Sequence, residues 1–427
     1  MSTPLDDPQR LPIHDIMCID CKSFYASTEA IRRGEFPLAA KVAVLSNEES
    51  NGGLVLAASP NTKRDYHVKL GTRRFEIDDQ MDIELVDPRM ADYIKLNYKI
   101  NRVYRSFTDD NHWYPYSVDE SFIDVTRSHS LFGSNEEIAA KIQEEVFQKY
   151  GIITTVGIGQ NPLQAKLALD NDAKFQEPWR ASWTYEDVPE TIWQINNLTD
   201  FWSIGDKTAA KLEAIGIHSI YDLAHADRGK LHARFGVLGD ALFFHAWGID
   251  YSDLTKRYLP RPENKGYGNS QVLMRDYVTK RDIEVVLSEI ADQVATRLRK
   301  HHVQGEVVSV GIGYADAEER GFGAQMHINA TSRSDDIISA ARRLLESKWN
   351  GQPVRNVSVR VNRVSKAAGF QLNLFDPPEK QTADLALYQV VDKIRSKYGY
   401  KSLVRGYSKE AGGTAIDRSG LVGGHHG

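Results

Sequence analysis

Residues 15–20 read DIMCID and residues 116–125 read YSVDESFIDV. Each is a short apolar run of strand composition with carboxylates at its boundary: Asp20 closes the first, and Asp119 and Glu120 sit inside the second. A carboxylate next to an apolar strand is costly to desolvate unless a cation or a hydrogen-bond donor meets it. If these three acids converge, they suit a hard cation with oxygen ligands, chiefly Mg²⁺. Two such ions about 4 Å apart can activate a 3′-hydroxyl and stabilise a leaving pyrophosphate. On spacing alone, an Asp-Glu pair is equally an ordinary capping or ion-pairing feature, so the flanking sequence has to decide.

Working outward, Ser23 to Arg33 carries helical spacing, and Val42–Leu45 and Leu54–Ala58 read as buried strands around the turn-prone Asn51-Gly52-Gly53. Asn135–Tyr150 reads as an amphipathic helix and Thr154–Ile158 as another strand. The alternation is too irregular for a doubly wound sheet, so an open sheet with helices on one face is expected. From Asp200 to Ala224 the pattern becomes two short helices around Ile215-Gly216-Ile217, with helix continuing through residues 227–248. The stretch 255–268 (TKRYLPRPENKGYG) has linker composition. Beyond it, helix 280–300, strand 307–313, helix 334–349 and strand 354–363 describe a second small α/β module, followed by a helix from about Thr382 to Tyr398 and a Gly-rich end. At 427 residues the chain exceeds one hydrophobic core, and roughly two to four domains are expected.

The bulk composition is that of a soluble protein, 41% hydrophobic and 26% charged. No run of about 18 apolar residues predicts a membrane span, and the polar start Met1–Arg10 lacks a secretory pattern. Two cysteines, Cys18 and Cys21, give no disulfide framework and fit a reducing cytoplasm. Their C-x-x-C spacing lies on a strand candidate, where residues three apart face opposite ways, so shared metal or redox use is not expected. The net charge of −5 is uneven: residues 256–366 hold nineteen Lys/Arg against thirteen Asp/Glu. A locally basic module can track a phosphate backbone while the whole chain stays acidic.

The stretch Ile19 to Glu29 (IDCKSFYASTE) resembles the first catalytic motif of the Y-family DNA polymerases, and Ser117 to Val125 resembles their second metal-binding motif. Gly157 to Ala168 (GIGQNPLQAKLA) is similar to the strand–turn–helix that carries a phosphate-binding lysine in that family. The three motifs occur in the family's order, the likeness runs from about residue 13 to 420, and it is nearest to the UmuC-like branch. The resemblance implies an α/β, right-hand architecture: a ferredoxin-like palm at 1–30 and 83–199, small fingers at 31–82, a helical helix–hairpin–helix thumb at 200–254, a linker at 255–268, and an α/β little finger at 269–370. It also implies a low-fidelity translesion DNA polymerase that transfers dNMP from a dNTP to a primer 3′-OH on primer-template DNA, with two Mg²⁺ ions (Mn²⁺ as a substitute).

Residue by residue, the resemblance makes Asp20 and Asp119 bridging metal ligands and gives Glu120 the ion that activates the primer hydroxyl. Cys21 would add its backbone carbonyl. Tyr25 would be the steric gate against a 2′-hydroxyl, with Phe24 lining the same substrate site. Lys166 would neutralise the triphosphate, and Lys63 or the adjacent Arg64 would also bind it; the tyrosine that many relatives carry near Pro60 is absent here. The segment Trp202–Leu212 resembles a helix–hairpin–helix, with Ser203 in place of its usual first glycine and Gly205 and Lys207 at the phosphate-facing turn. Finally Gln371-Leu372-Asn373-Leu374-Phe375 resembles the peptide by which bacterial polymerases hold the sliding clamp: Leu374 and Phe375 would enter an apolar pocket, and Gln371 would hydrogen-bond at the rim. A docking loop on its own domain is the other reading of that segment. A small accessory subunit or a recombinase filament is a further partner that the branch implies, as is expression in an SOS response. Two rival functions stand: another two-metal palm enzyme, a nucleotide cyclase, which needs no hairpin thumb or clamp peptide, and a catalytically silent DNA- and clamp-binding regulator.

Overall fold

A computed structural model describes residues 4–5, 11–46, 53–256, 266–316, 318–367, 378–422 and 425–426. The chain divides into two compact units, residues 1–257 with the last three residues, and residues 258–424. Among the described residues no helix is long and apolar enough to cross a membrane.

The first unit is organised by β1 (Ile16–Cys21), followed after two residues by α1 (Phe24–Arg32). The next strands, β2 (Val42–Leu45) and β3 (Val55–Ala58), then α2 (Pro60–Tyr66) and β4 (Glu84–Val86), make a separate three-stranded sheet in the order β3-β2-β4. Helix α3 (Met90–Tyr104) leads into β5 (Trp113–Pro115), β6 (Glu120–Asp124), the short α4 (His129–Phe132) and α5 (Asn135–Tyr150). Helix α5 begins where the sequence predicts, because Ser134 and Glu137 form a reciprocal capping box. Then come β7 (Thr154–Gly159), α6 (Pro162–Ala168) and β8 (Arg180–Trp183). The main sheet runs β5-β6-β1-β7-β8, with β1 antiparallel to both neighbours and β8 parallel to β7.

Side-chain parity along β1 sorts the two faces of this sheet. Ile16 and Cys18, with Phe122 of β6, pack against Ala165 of α6 and against Leu169 and Ala173. On the other face, Cys21 meets the Tyr104 hydroxyl, and Ser121 donates to Asn101, both on α3. The expectation of helices on one face is therefore corrected: both faces are covered. The reason is the close seat of α6 on β7. A Cβ on Gly157 would lie 2.1 Å from the Ala165 carbonyl oxygen, and one on Gly159 would lie 2.4 Å from the Ala165 nitrogen. Glycine lets helix and strand backbones touch there.

Four helices follow: α7 (Asp206–Glu213), α8 (Ile220–Ala224), α9 (Arg228–Phe235) and α10 (Val237–Ala246). They enclose a core that includes Leu212, Ile220, Leu231 and Leu242.

The second unit is an antiparallel sheet of β9 (Tyr267–Tyr277), β10 (Val303–Tyr314), β11 (Phe322–Thr331) and β12 (Val354–Lys366), in the order β11-β10-β12-β9. Helices α11 (Lys280–Lys300) and α12 (Ser334–Lys348) bury Val308, Val310, Val357 and Val359 on one face. The other face carries mainly small and polar residues, with Val272 and Met274 of β9 exposed on it, and a trough of about 490 Å³ there is bounded by Gly266, Gly268, Ser270, Ser358 and Arg360. Helix α13 (Pro378–Tyr398) continues into short helical turns at Tyr400–Ser402 and Gly406–Lys409. Asp392 accepts from Arg299 at 2.6 Å, and Asp384 from Arg333 at 2.8 Å. The buried Asp292 of α11 is met by Arg395 at 2.8 Å and by Arg405 at 3.5 Å.

Candidate active site

The acids come together through strand register. Asp20 is the penultimate residue of β1, and its direct cross-strand partner is Glu120, the first residue of β6, so both side chains rise from one face. Residues 116–119 are not strand. Tyr116 and Ser117 both donate their backbone N–H to the Glu120 carbonyl, and the Ser117 hydroxyl accepts from the backbone of Asp119 and Glu120. That tight bend places Asp119 beside the end of β1, where the Cys21 N–H donates to the Asp119 carbonyl at 2.9 Å.

The side chains form a chain of alternating charge. Glu120, 7% exposed, accepts from the Cys18 thiol through Oε1 and from the Lys166 ammonium through Oε2, each at 2.9 Å. Lys166 also meets Asp170 at 2.9 Å. Lys174 in turn stands 2.8 Å from Asp170 and 3.5 Å from Asp20 Oδ2. Burial pushes the Asp20 carboxyl up to about 6, with Asp119 and Glu120 pushing the same way and Lys174 opposing. The Ser117 hydroxyl donates to Asp119 Oδ1 at 2.6 Å. Three carboxylates brought to one end of the sheet, with Asp20 raised by burial and by its neighbours' charge, are a donor set that fits a hard divalent cation. Among the described residues no three such groups stand in a preformed ligand cage. Glu120 would have to leave Lys166 and Cys18 to ligate.

Lysines gather around Asp20, whose charge acts on Lys22, Lys63 and Lys174. Lys63 of α2 donates to the Ser23 hydroxyl at 2.9 Å. Desolvation and the neighbouring Lys174 hold Lys63 below the usual lysine range, against the pull of Asp20. Lys22 donates to the Lys174 carbonyl at 2.8 Å, and its ammonium lies 3.7 Å from the Trp179 ring centroid. Burial and Lys63 bring Lys22 down to about 8. Arg64 turns away and pairs with Asp65 at 2.7 Å on the surface. Tyr25, half-buried, packs against a cluster that includes Ala30, Val42 and Val44, and Asp119 adds to burial in raising its hydroxyl pKa.

Sequence comparison matches residues 19–170 to the impB/mucB/samB family, residues 264–374 to that family's C-terminal domain, and residues 185–217 to its HHH motif. The UvrX protein of Bacillus subtilis (strain 168), named there as a candidate UV-damage repair protein, is 38% identical over 98% of this chain and 99% of its own. A second B. subtilis protein, named DNA polymerase IV 2, is 34% identical over 96% of this chain and 98% of its own. The chain belongs to the Y family of translesion DNA polymerases. In fold it is similar to a Y-family DNA polymerase chimera of Dbh and Dpo4, with a TM-score of 0.66 at 18% identity over 82% of this chain and 99% of that one. The right-hand fold expected from sequence is thus found, and the UmuC-like branch is consistent with these relatives.

In this Y-family member the hairpin before α7 has Ser203 at φ +80°, a left-handed position normally taken by glycine. Ile204 is buried beneath it, while Ser203, Gly205 and Lys207 are exposed, and the start of α7 has no side-chain cap. Gln371, Leu372, Leu374 and Phe375 lie outside the described residues.

The sequence reading names Lys166 for the triphosphate and does not name Lys174 or Lys22. The structure buries Lys166 in an ion pair with Glu120 and also brings Lys174 to Asp20. The available signal was Lys174 itself, eight residues on. A wider π-type turn over Leu169–Ala173 sets its direction, and no sequence pattern announces that turn.

Proposed function

We propose that this chain extends a primer 3′-end on a DNA template by two-metal-ion nucleotidyl transfer, and that it does so across damaged template bases. The observation that carries the reading is the cross-strand register of Asp20 with Glu120, with Asp119 at the adjoining bend and Lys22, Lys63 and Lys174 close enough to act on Asp20. Asp20, Asp119, Glu120 and the Cys21 backbone carbonyl would hold the ions, and Mg²⁺ there supplies charge neutralisation and an activated hydroxyl. Lys63, Lys22 and Lys174 would bind and orient the triphosphate as point charges. Phe24 and Tyr25 would floor the sugar site, with Tyr25 excluding a 2′-hydroxyl. Lys166 would act one step back, holding Glu120.

The domain roles follow the elements: palm at 1–30 and 83–199, fingers at 31–82, thumb at 200–254 and little finger at 269–370. Ser203, Gly205 and Lys207 would offer backbone N–H groups and a charge to one DNA phosphate. The open polar face of the β9–β12 sheet, with Arg360, would follow the backbone without reading sequence. Gln371–Phe375 would tether the enzyme to a sliding clamp in the cytoplasm.

One observation favours a second reading. The Glu120 carboxylate is occupied by Lys166 and Cys18, as it would be in a silent DNA- and clamp-binding regulator. Primer extension with Mg²⁺ and four dNTPs, on undamaged and abasic templates beside Asp119→Ala, separates the two. Extension by the wild type alone supports the polymerase, and passage of the abasic site supports bypass. DNA binding without extension, with sliding clamp added, supports the regulator.

A further inference from the structure

The ring of Tyr25 lies flat on the ring of Tyr93 from α3, with centroids 4.5 Å apart and planes 14° from parallel. Tyr25 is half-buried and Tyr93 has no exposed surface, so Tyr93 stands behind Tyr25. Phe24 closes the edge of the pair, 6.4 Å from Tyr93 and tilted 62°. The Tyr93 hydroxyl donates at 2.8 Å to Oε1 of Glu29, which belongs to α1, one turn beyond Tyr25. Glu29 is 1% exposed, and its other oxygen accepts from Arg89 with Arg33 at 3.5 Å and Arg32 at 3.8 Å. A closed loop results: the α1 backbone carries Tyr25, Tyr25 leans on Tyr93, Tyr93 is tied to Glu29, and Glu29 returns to α1.

This loop has a mechanical consequence. A pocket wall rejects one added hydroxyl by only about a hundredfold even when well formed. That rejection depends on the wall holding its rotamer, since a wall that yields admits the larger ligand. Offset ring stacking contributes only about 1 kcal/mol, so the stack restrains Tyr25 only if Tyr93 is itself fixed. The buried carboxylate and its guanidinium partners fix it. We infer that Tyr93 is a positioning residue for sugar discrimination, the backstop that keeps Tyr25 in the path of a ribonucleotide's 2′-hydroxyl. The inference rests on Tyr25 being the sugar gate.

The test is single-nucleotide insertion by the full chain, comparing kcat/KM for a dNTP with that for the matching rNTP. Tyr25→Ala is the control that tests the gate itself. Tyr93→Leu removes the ring, Tyr93→Met serves where the leucine variant does not fold, and Tyr93→Phe keeps the ring without the hydroxyl. The expected result is that the Leu or Met variant raises ribonucleotide use relative to dNTP by about tenfold, chiefly through a lower KM for the rNTP, while dNTP insertion stays within about threefold. Tyr93→Phe should stay near the wild-type ratio. A purely structural tyrosine would lower both insertions together and leave the ratio alone; that outcome, with Tyr25→Ala active in the same assay, overturns the inference. No effect of Tyr25→Ala on the ratio would instead overturn the gate assignment beneath it.

Discussion

The Lys166 ammonium stands 2.9 Å from Glu120 Oε2 inside the protein, with the two side chains 8% and 9% exposed. A buried pair of this kind contributes little net stability as a pair but is costly to break from one side, because the remaining charge has no water to turn to. Lys166 therefore reads as the residue that sets where Glu120 rests. Lys174, less buried, pairs with Asp170 at 2.8 Å and Asp20 at 3.5 Å, and is the lysine proposed to meet a triphosphate.

Two variants separate these roles. Lys166→Ala should destabilise the protein by about 3–5 kcal/mol and abolish incorporation, whereas Lys174→Ala should leave the melting temperature nearly unchanged and raise KM for dNTP by about tenfold or more. Melting curves and steady-state insertion kinetics read both. A normal melting point for Lys166→Ala with a raised KM would return the phosphate role to Lys166.

Lys63 and Arg64 divide in the same way. Lys63 bonds Ser23 at the cleft, while Arg64 is taken up by Asp65 at the surface. Lys63→Ala should raise KM for dNTP by about tenfold, and Arg64→Ala should change it by less than about twofold, since exposed pairs contribute under about 1 kcal/mol. Equal effects of the two substitutions would show that Arg64 leaves Asp65 when nucleotide binds.

That Asp20, Asp119 and Glu120 would meet was legible from the motifs around them rather than from their spacing, and α5 was legible from its amphipathic pattern, with the Ser134–Glu137 capping box fixing its start. Strands β9 and β11 were not. Each keeps one face open, so polar and small residues alternate with apolar ones, and the segment before β9 has the composition of a linker. The bend at 117–119 was read as strand, since a Ser hydroxyl taking backbone N–H groups leaves no compositional trace. The long-range partners of Asp292, more than one hundred residues away, are legible only in three dimensions.

Ser203 holds a left-handed backbone at φ +80°. Ser203→Gly should stabilise the hairpin by about 0.5–1 kcal/mol, visible as a small rise in melting temperature and slower amide exchange at residues 204–208. An unchanged or lower melting temperature would show that the greater freedom of glycine in the unfolded chain outweighs the relief of strain.

The segment after residue 377 should behave as part of the second unit. Asp292 is 3% exposed and joins Arg395 and Arg405 to α11. Asp292→Ala leaves both cations facing a vacated carboxylate site and should cost about 3 kcal/mol. Limited proteolysis should then cut within residues 399–420 well before the rest of the chain. Unaltered proteolysis would mean that the remaining pairs, Arg299 with Asp392 and Arg333 with Asp384, suffice to hold the segment.

Asp20 gives a prediction in which stability and function move in opposite directions. Its carboxyl has an ordinary value of 3.8 and stands at about 6 in the folded protein, raised first by burial and then by Asp119 and Glu120. The native state thus holds this proton more tightly than the unfolded chain. Its contribution to stability is largest below pH 3.8, falls as pH rises through about 6, and is level above that. The loss across that window is of order 3 kcal/mol, and the 16% exposure of the side chain makes this an upper figure. Asp20→Asn removes the charge, so without divalent cations it should melt higher than the wild type at pH 7.5, with the gap closing towards pH 4. Adding Mg²⁺ should raise the wild type more than the variant, because the cation binds the ionised cluster. The variant should insert no nucleotide at any pH. A variant that melts no higher than the wild type at pH 7.5 would mean that the lost contact with Lys174 at 3.5 Å outweighs the relieved repulsion, and that the acids are not held against their own charge.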